Sequence, residues 1–245
     1  IIREKLMDIG KEFAPTGTLR VAINVGNGVL TSYDEETGQP DGITVEIANS
    51  LADELSLPIE LKIFRSAGNV VEAVENGEWD VAFLARDPKR AEVIAFSAPY
   101  ILIEGSYLVR EDSDFLCNED VDKPGVRIAV GKGAAYDLYL SRNLQHATLE
   151  RAPTTPGAVD LFLEQNLDVA AGVRQPLNEY AARHDGVRVL PGRFMVIEQA
   201  MAVPANRGKA ASYLETFVHT LIRSGKVGEL ITRFDKHQAS VPELP

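Results

Sequence analysis

A strand-like run, a helix-like run and a second strand-like run succeed one another twice over in this sequence. Parallel strands need crossover connections, and helices of the length seen here supply them. Thr18 to Asn24 (TLRVAIN) is β-rich and runs into Gly26, Asn27 and Gly28, residues that tolerate unusual backbone angles. Ile43, Ile47, Leu51 and Leu55 then recur every fourth position, one stripe of an amphipathic helix, until Pro58 ends it. Ile59 to Phe64 reads as a strand. Val70, Val71 and Val74 sit at helical spacing before Asn76-Gly77, and Trp79 to Ala85 reads as a buried strand. The expectation is a parallel sheet covered by helices on both faces.

The pattern restarts further on. Val126 to Val130 is strand-like, Ala134 to Leu144 amphipathic, and Pro156 to Gln165 helix-like with Thr155 as N-cap and Pro156 at its first position. Leu167 to Ala171 is a second buried strand, followed by a helix over Pro176 to His184 and a strand over Val187 to Leu190. Met195 to Val203 is a long β-like run, and Ala210, Leu214, Phe217, Val218 and Leu221 mark a closing helix. The β-rich stretches Tyr100 to Arg110 and Phe194 to Val203 bracket this second unit and read as two hinge strands. On that reading residues 1–105 and 197–245 form a discontinuous first lobe and 106–196 an inserted second lobe. Small ligands are expected between two such units, at the carboxyl ends of their strands.

Composition narrows the function classes. With 25 basic and 36 acidic residues the net charge is −11, which argues against a nucleic-acid partner. A single cysteine, Cys117, cannot form an internal disulfide, and His146, His184, His219 and His237 lie apart from one another, so neither a disulfide framework nor a metal site is expected. No P-loop and no Gly-x-Ser-x-Gly elbow occurs, and in Gly131-x-Gly133 the third glycine position of a dinucleotide fingerprint holds Tyr136. No catalytic residue and no cofactor is expected. No apolar run approaches the roughly 18 residues of a membrane span. Ile1 to Glu12 lacks the basic start, apolar middle and small-residue cleavage site of a secretion signal. Either a signal has been removed or none was present, so a cytoplasmic location stays open beside a periplasmic one.

The stretch DVAFLARDPKRAEVIAFSAPY, Asp80 to Tyr100, resembles the signature region of family 3 bacterial solute-binding proteins, the ligand receptors of polar amino acid ABC transporters. Three further features agree: the strand TLRVAIN with its loop, Gly42 to Ala48 (GITVEIA) opening the first helix, and Val130-Gly131-Lys132-Gly133 leading into a helix of the second unit. The resemblance spans Thr18 to about Phe234. It implies an α/β, two-lobed periplasmic-binding-protein fold of type II, each lobe a mixed sheet flanked by helices, joined by a two-strand hinge.

The resemblance also implies ligand-binding positions. An arginine just before the Phe-Ser-x-Pro-Tyr segment grips the ligand carboxylate in the family, and Arg90 matches it. A planar guanidinium gives a carboxylate two parallel charge-assisted hydrogen bonds. The alternative for Arg90 is an exposed ion network with Lys89 and Asp87. The family's hydroxyl positions before that arginine hold Phe83, Leu84 and Ala85, whose backbone groups remain available, and Arg86 is the second candidate. In the second lobe the family's ammonium-binding aspartate corresponds to Val173, and an apolar residue cannot balance a buried ammonium. Its neighbours Arg174 and Gln175 are candidates instead, Arg174 favouring a second carboxylate or capping a helix. Gly133-Ala134-Ala135-Tyr136 matches a turn that receives the carboxylate. Its hydroxyls are gone, but helix N–H groups still attract an anion, and Tyr136 offers a hydroxyl or a flat wall. Asn24 and Asn27 stand at polar or aromatic ligand positions, Asn27 alternatively serving a left-handed turn. Glu104 and Glu198 fall on the hinge strands, where either suits a ligand amine.

The function expected is that of an ABC-transporter receptor, not an enzyme. It closes over a small carboxylate-bearing solute, an amino acid or related organic acid, and delivers it to a membrane permease, working as a monomer. The alternatives are a cyclohexadienyl dehydratase-like enzyme with Glu104 or Glu198 as general acid, and a ligand-sensing module.

Overall fold

The computed structural model describes residues 2–245; Ile1, with which the stretch read for a secretion signal begins, lies outside them. The chain divides into two compact units, Ile1–Leu102 with Glu198–Pro245, and Ile103–Ile197. It passes from one to the other within two long strands.

The first unit opens with α1 (Ile2–Phe13), β1 (Leu19–Asn24), the hairpin β2 (Ser32–Asp34) and β3 (Gln39–Asp41), α2 (Ile43–Leu55), β4 (Ile59–Phe64), α3 (Ala67–Val74) and β5 (Val81–Ala85). The crossing strand β6 (Ile94–Arg110) follows. The second unit continues with β7 (Arg127–Gly131), α4 (Ala135–Asn143), β8 (Thr148–Ala152), α5 (Gly157–Glu164), β9 (Val169–Val173), α6 (Arg174–Arg183) and β10 (Val187–Val189). The second crossing strand, β11 (Met195–Pro204), returns to the first unit, which ends with α7 (Gly208–Arg223) and α8 (Lys226–Arg233).

In the first unit β1 pairs in parallel with β4 and β5, while β11 lies antiparallel against β5. In the second, β7 pairs in parallel with β8 and β9, and β6 lies antiparallel to β9 and β10. Both sheets are therefore mixed, because the crossing strands run against the parallel set.

Local chemistry explains the element ends. The expected stripe of α2, Ile43, Ile47, Leu51 and Leu55, is buried, and the helix stops at Ser56, which takes a left-handed φ of 55°. Ser66 caps α3 by accepting from the Asn69 N–H at 3.1 Å, and Gly77, at φ 64°, turns the chain after it. Trp79 is fully buried with its indole N–H donating to the Val70 carbonyl at 2.8 Å, and it packs with Val70, Leu84 and Ile94. Phe162, Leu108, Ala170 and Leu177 play the same part in the second unit.

The structure corrects several readings. Charged and apolar residues in the opening stretch form helix α1, and the turn-rich segment around Asp34 to Gly42 contains the β2–β3 hairpin. Strand β8 was not expected because it is an exposed edge with no apolar run, only Ala152 being buried. Helix α5 begins at Gly157, and it is the Thr154 hydroxyl, not Thr155, that accepts the Gly157 N–H at 3.2 Å.

One buried carboxylate ties the first unit together. Asp80, with no exposed surface, accepts from the Arg20 backbone at 2.9 Å, from Arg20 Nε at 3.0 Å and Nη2 at 2.9 Å, and from Arg207 Nη1 at 2.8 Å. Arg207 also donates to the Phe13 carbonyl at 3.2 Å, so α1, β1, β5 and the start of α7 share one charge cluster. Burial opposes the charge on Asp80, but the hydrogen bonds from Arg20 and Arg207 outweigh it and hold the carboxyl below its ordinary range. A carboxyl depressed in the folded state stabilises the fold above the unfolded value of about 3.9, and that contribution is lost as pH falls through the folded value. Asp80→Asn is expected to lower stability by about 3–5 kcal/mol at neutral pH, since it leaves two guanidinium groups without their buried partner. Urea unfolding at several pH values checks this: the gap between wild type and variant should narrow below about pH 4.

Candidate functional site

In each unit the carboxyl ends of the parallel strands gather at one edge, where ligands bind in open α/β sheets. In the first unit that edge carries Asn24, the loop after it, and the end of β5. The Asn24 side-chain oxygen accepts from the Gly26 N–H at 2.9 Å, and the Asn27 oxygen from the Val29 N–H at 3.2 Å. Both asparagines thus fold the loop through their oxygens, and what each has to offer a solute is its NH2 group. The left-handed alternative for Asn27 is overturned, since neither it nor Gly26 nor Gly28 has a positive φ. Gly26 is required by close approach: a Cβ there would lie 2.4 Å from the Arg65 carbonyl oxygen. The half-buried Lys236 donates its ammonium to the Gly28 carbonyl at 3.1 Å and braces the same loop.

Phe83, Leu84 and Ala85 are buried, and their backbones pair with Met201, Ala200 and Gln199 of β11. Phe83 meets Tyr100 edge-on at 5.7 Å, and Leu84 joins the Trp79 cluster. Their side chains serve the core, so any contact with a solute falls to the backbone. Ser97 of the Phe-Ser-x-Pro-Tyr segment is also structural: its hydroxyl accepts from the Met201 N–H at 3.0 Å and donates to the Ala98 carbonyl at 2.7 Å.

The two arginines differ sharply. Arg86 donates its backbone N–H to the Glu198 carbonyl at 2.9 Å, and its guanidinium stands 3.9 Å from the Glu198 carboxylate, both side chains about half exposed. Arg90 is only 2% exposed, so the exposed-network alternative for it is overturned. It sits in a short 3-10 turn whose entrance Asp87 shapes by accepting from the Lys89 N–H at 2.8 Å, with Pro88 between them. Arg90 Nη1 donates to the Ala85 carbonyl at 2.9 Å. Burial pulls its pKa down to about 10 against the opposing attraction of Asp87.

The matching edge of the second unit holds the ends of β7 and β9. Ala134 and Tyr136 are buried and Ala135 half-buried, and the Tyr136 ring packs inside the unit, with burial raising its hydroxyl pKa. The amide of the turn expected to receive an anion is engaged by the protein's own carboxylate: the Gly133 N–H donates to Asp137 Oδ2 at 2.8 Å. Arg151 Nε meets Asp137 Oδ1 at 3.0 Å. At the end of β9, Val173 precedes α6, and Gln175 donates to Glu179 at 3.0 Å. Arg174 Nε donates to Glu104 Oε2 at 2.7 Å and its Nη2 to the Gly192 carbonyl, while Arg193 Nη1 donates to Glu104 Oε1 at 2.8 Å. Partial burial opposes the Glu104 charge, but Arg193 and Arg174 outweigh it and hold the carboxyl below its ordinary range.

Sequence reasoning did not find Arg193. No local motif marks it, and it reaches Glu104 because the neighbouring Phe194 N–H donates to the Gly105 carbonyl at 3.0 Å and the Phe194 ring stacks on Tyr107 at 4.3 Å. Gly105 permits this, since a Cβ there would meet Phe194 and Met195 within 3 Å.

Residues 19–237 match the family described as bacterial extracellular solute-binding proteins, family 3. The chain belongs to this family. Among curated members it is similar to the amino-acid-binding protein AabA of Dichelobacter nodosus, 21% identical over 70% of this chain and 69% of that one. It is also similar to the cyclohexadienyl dehydratase of Pseudomonas aeruginosa, 29% identical over 55% of this chain and 51% of that enzyme, so it spans only about half of that relative's length. Among solved structures it resembles a mutant of ArgBP from T. maritima, with a TM-score of 0.78 at 21% identity, covering 93% of this chain and 99% of that one. The solute-binding family and these likenesses give the fold its class: α/β, type II periplasmic-binding-protein, with mixed sheets and flanking helices. Among the described residues no helix is long and apolar enough to cross a membrane, and no group of His, Cys, Asp or Glu is placed to hold a metal ion.

Asp137→Ala is expected to cost about 1–3 kcal/mol by leaving the Gly133 amide and Arg151 without their acceptor. Urea unfolding measures it, with faster hydrogen exchange at Gly133 as the local signature.

Proposed function

We propose that this family member is the solute receptor of an ABC transporter, taking up a small carboxylate-bearing ligand, an amino acid or related organic acid, and passing it to a membrane permease outside the cytoplasm. It acts as a monomer and does no chemistry on the solute. Arg90 carries the reading. It is a guanidinium buried at the carboxyl end of β5, its charged form disfavoured by burial more than Asp87 favours it. A carboxylate at that place relieves the cost, through charge-assisted hydrogen bonds each worth about 1.5–3 kcal/mol. Arg86 stands beside it with an exposed guanidinium and meets an approaching anion first. The NH2 groups of Asn24 and Asn27 border the same edge. A solute that binds one conformation more tightly shifts the protein toward it.

The dehydratase among the relatives raises an enzymatic reading, which needs a general acid that is protonated near neutral pH. Glu104 is held ionised by its arginines, and Glu198 is half exposed beside Arg86. An ionised Glu104 does not suit the role, which favours binding without turnover.

Thermal-shift screening against amino acids, dicarboxylates, aromatic acids and amines tests the proposal, with calorimetry on any hit. A solute at 100 times its Kd should add about 2.7 kcal/mol of stability. Arg90→Ala is expected to weaken carboxylate binding by about 100-fold, the equivalent of about 2.7 kcal/mol, and Arg86→Ala by less. Undiminished binding in a folded Arg90→Ala would remove the anchor from this account, and turnover of a bound cyclic acid would remove the receptor reading.

A further inference from the structure

We propose that the second unit carries its own anion-binding group, the guanidinium pair of Arg174 and Arg193 assembled on Glu104, and that this pair takes a carboxylate of the solute. The inference rests on the receptor reading and specifies the class of solute.

Arg174 and Arg193 engage different oxygens of the same carboxylate, at 2.7 Å and 2.8 Å. Two guanidinium groups on one carboxylate leave one net positive charge. Each guanidinium has five N–H donors. Arg174 directs its Nε to Glu104 and its Nη2 to Gly192, and Arg193 directs Nη1 to Glu104, so both have further donors for an incoming anion. Their side chains are 21% and 53% exposed, within reach of a solute. Arg174 is the first residue of a ten-residue helix, so the positive end of the helix dipole adds to the same field.

Both oxygens of Glu104 accept from the arginines, and Asp137, beyond the end of β7, is held by Gly133 and Arg151. The last residue of β9, between Glu104 and the helix, is Val173, whose side chain has nothing to give an ammonium. Glu104 acts as a positioning residue here, holding two flexible side chains in one arrangement before the solute arrives, which reduces the ordering cost of binding.

Calorimetry on the full chain with succinate, glutarate, adipate, butyrate and lysine tests the proposal. The expected result is that at least one of the four acids binds tenfold or more tightly than lysine, and that Arg193→Gln lowers this affinity about tenfold. Arg193 is half exposed, so its variant should fold, and a circular dichroism melt verifies it; Arg174→Gln should act in the same direction. If lysine binds and no acid does better, or if both variants bind the acid as the wild type does, this inference fails and the receptor reading survives. If none of the five binds and the wider thermal-shift screen is also silent, both fail.

Discussion

Parallel pairing is the constraint on which everything else in this protein depends. Because β1 runs beside β5, and β7 beside β9, their carboxyl ends emerge at a common edge of each sheet. Residues far apart in sequence, such as Asn24 and Arg86, or Gly131 and Arg174, are brought to that edge with no special chemistry of their own. The cost is that the strands must be joined by helices with matched apolar stripes. The stripe of α2 and the burial of Trp79 and Phe162 show how much of the apolar sequence is committed to it. Hydroxyl-free residues in β5 follow from the same demand, since Phe83, Leu84 and Ala85 lie between neighbouring strands and pack inward.

Acids held by arginines recur through the structure and do different work by location. Asp80, without exposed surface, is gripped by Arg20 and Arg207, and binds four elements of one unit to each other. Asp137 with Arg151 stiffens the turn before α4. Glu104 with Arg174 and Arg193 lies nearer the surface, where the surplus positive charge faces water. Burying a charge cluster trades attraction against desolvation, so breaking the deeply buried Asp80 cluster is the costlier change. The overall charge of −11 is therefore a poor guide to the local potential.

Arg90 illustrates why the local setting of a residue matters more than its type. An arginine beside Lys89 and Asp87 reads in sequence as readily as a surface residue. In the fold it is inside, fastened to the carbonyl that ends β5, with burial depressing its charged form. The same guanidinium braces the end of the strand through the Ala85 carbonyl.

The alternation of apolar runs by itself determined the α/β class and most helices and strands. These follow from periodicity, which is a local property of the chain. Periodicity could not find β8, whose polar edge has no apolar pattern, or the short β2–β3 hairpin inside a turn-rich stretch. The sequence also pointed to Arg86, Arg90 and Arg174 as the charged residues to watch. Only tertiary structure decided that Arg90 is buried, that Asp137 occupies the turn amide, and that Glu104 joins Arg174 to Arg193. These partners are separated by up to 89 residues along the chain. Pairing at that separation is set by strand register and by the space Gly105 leaves for Phe194, and no local pattern in the sequence encodes either.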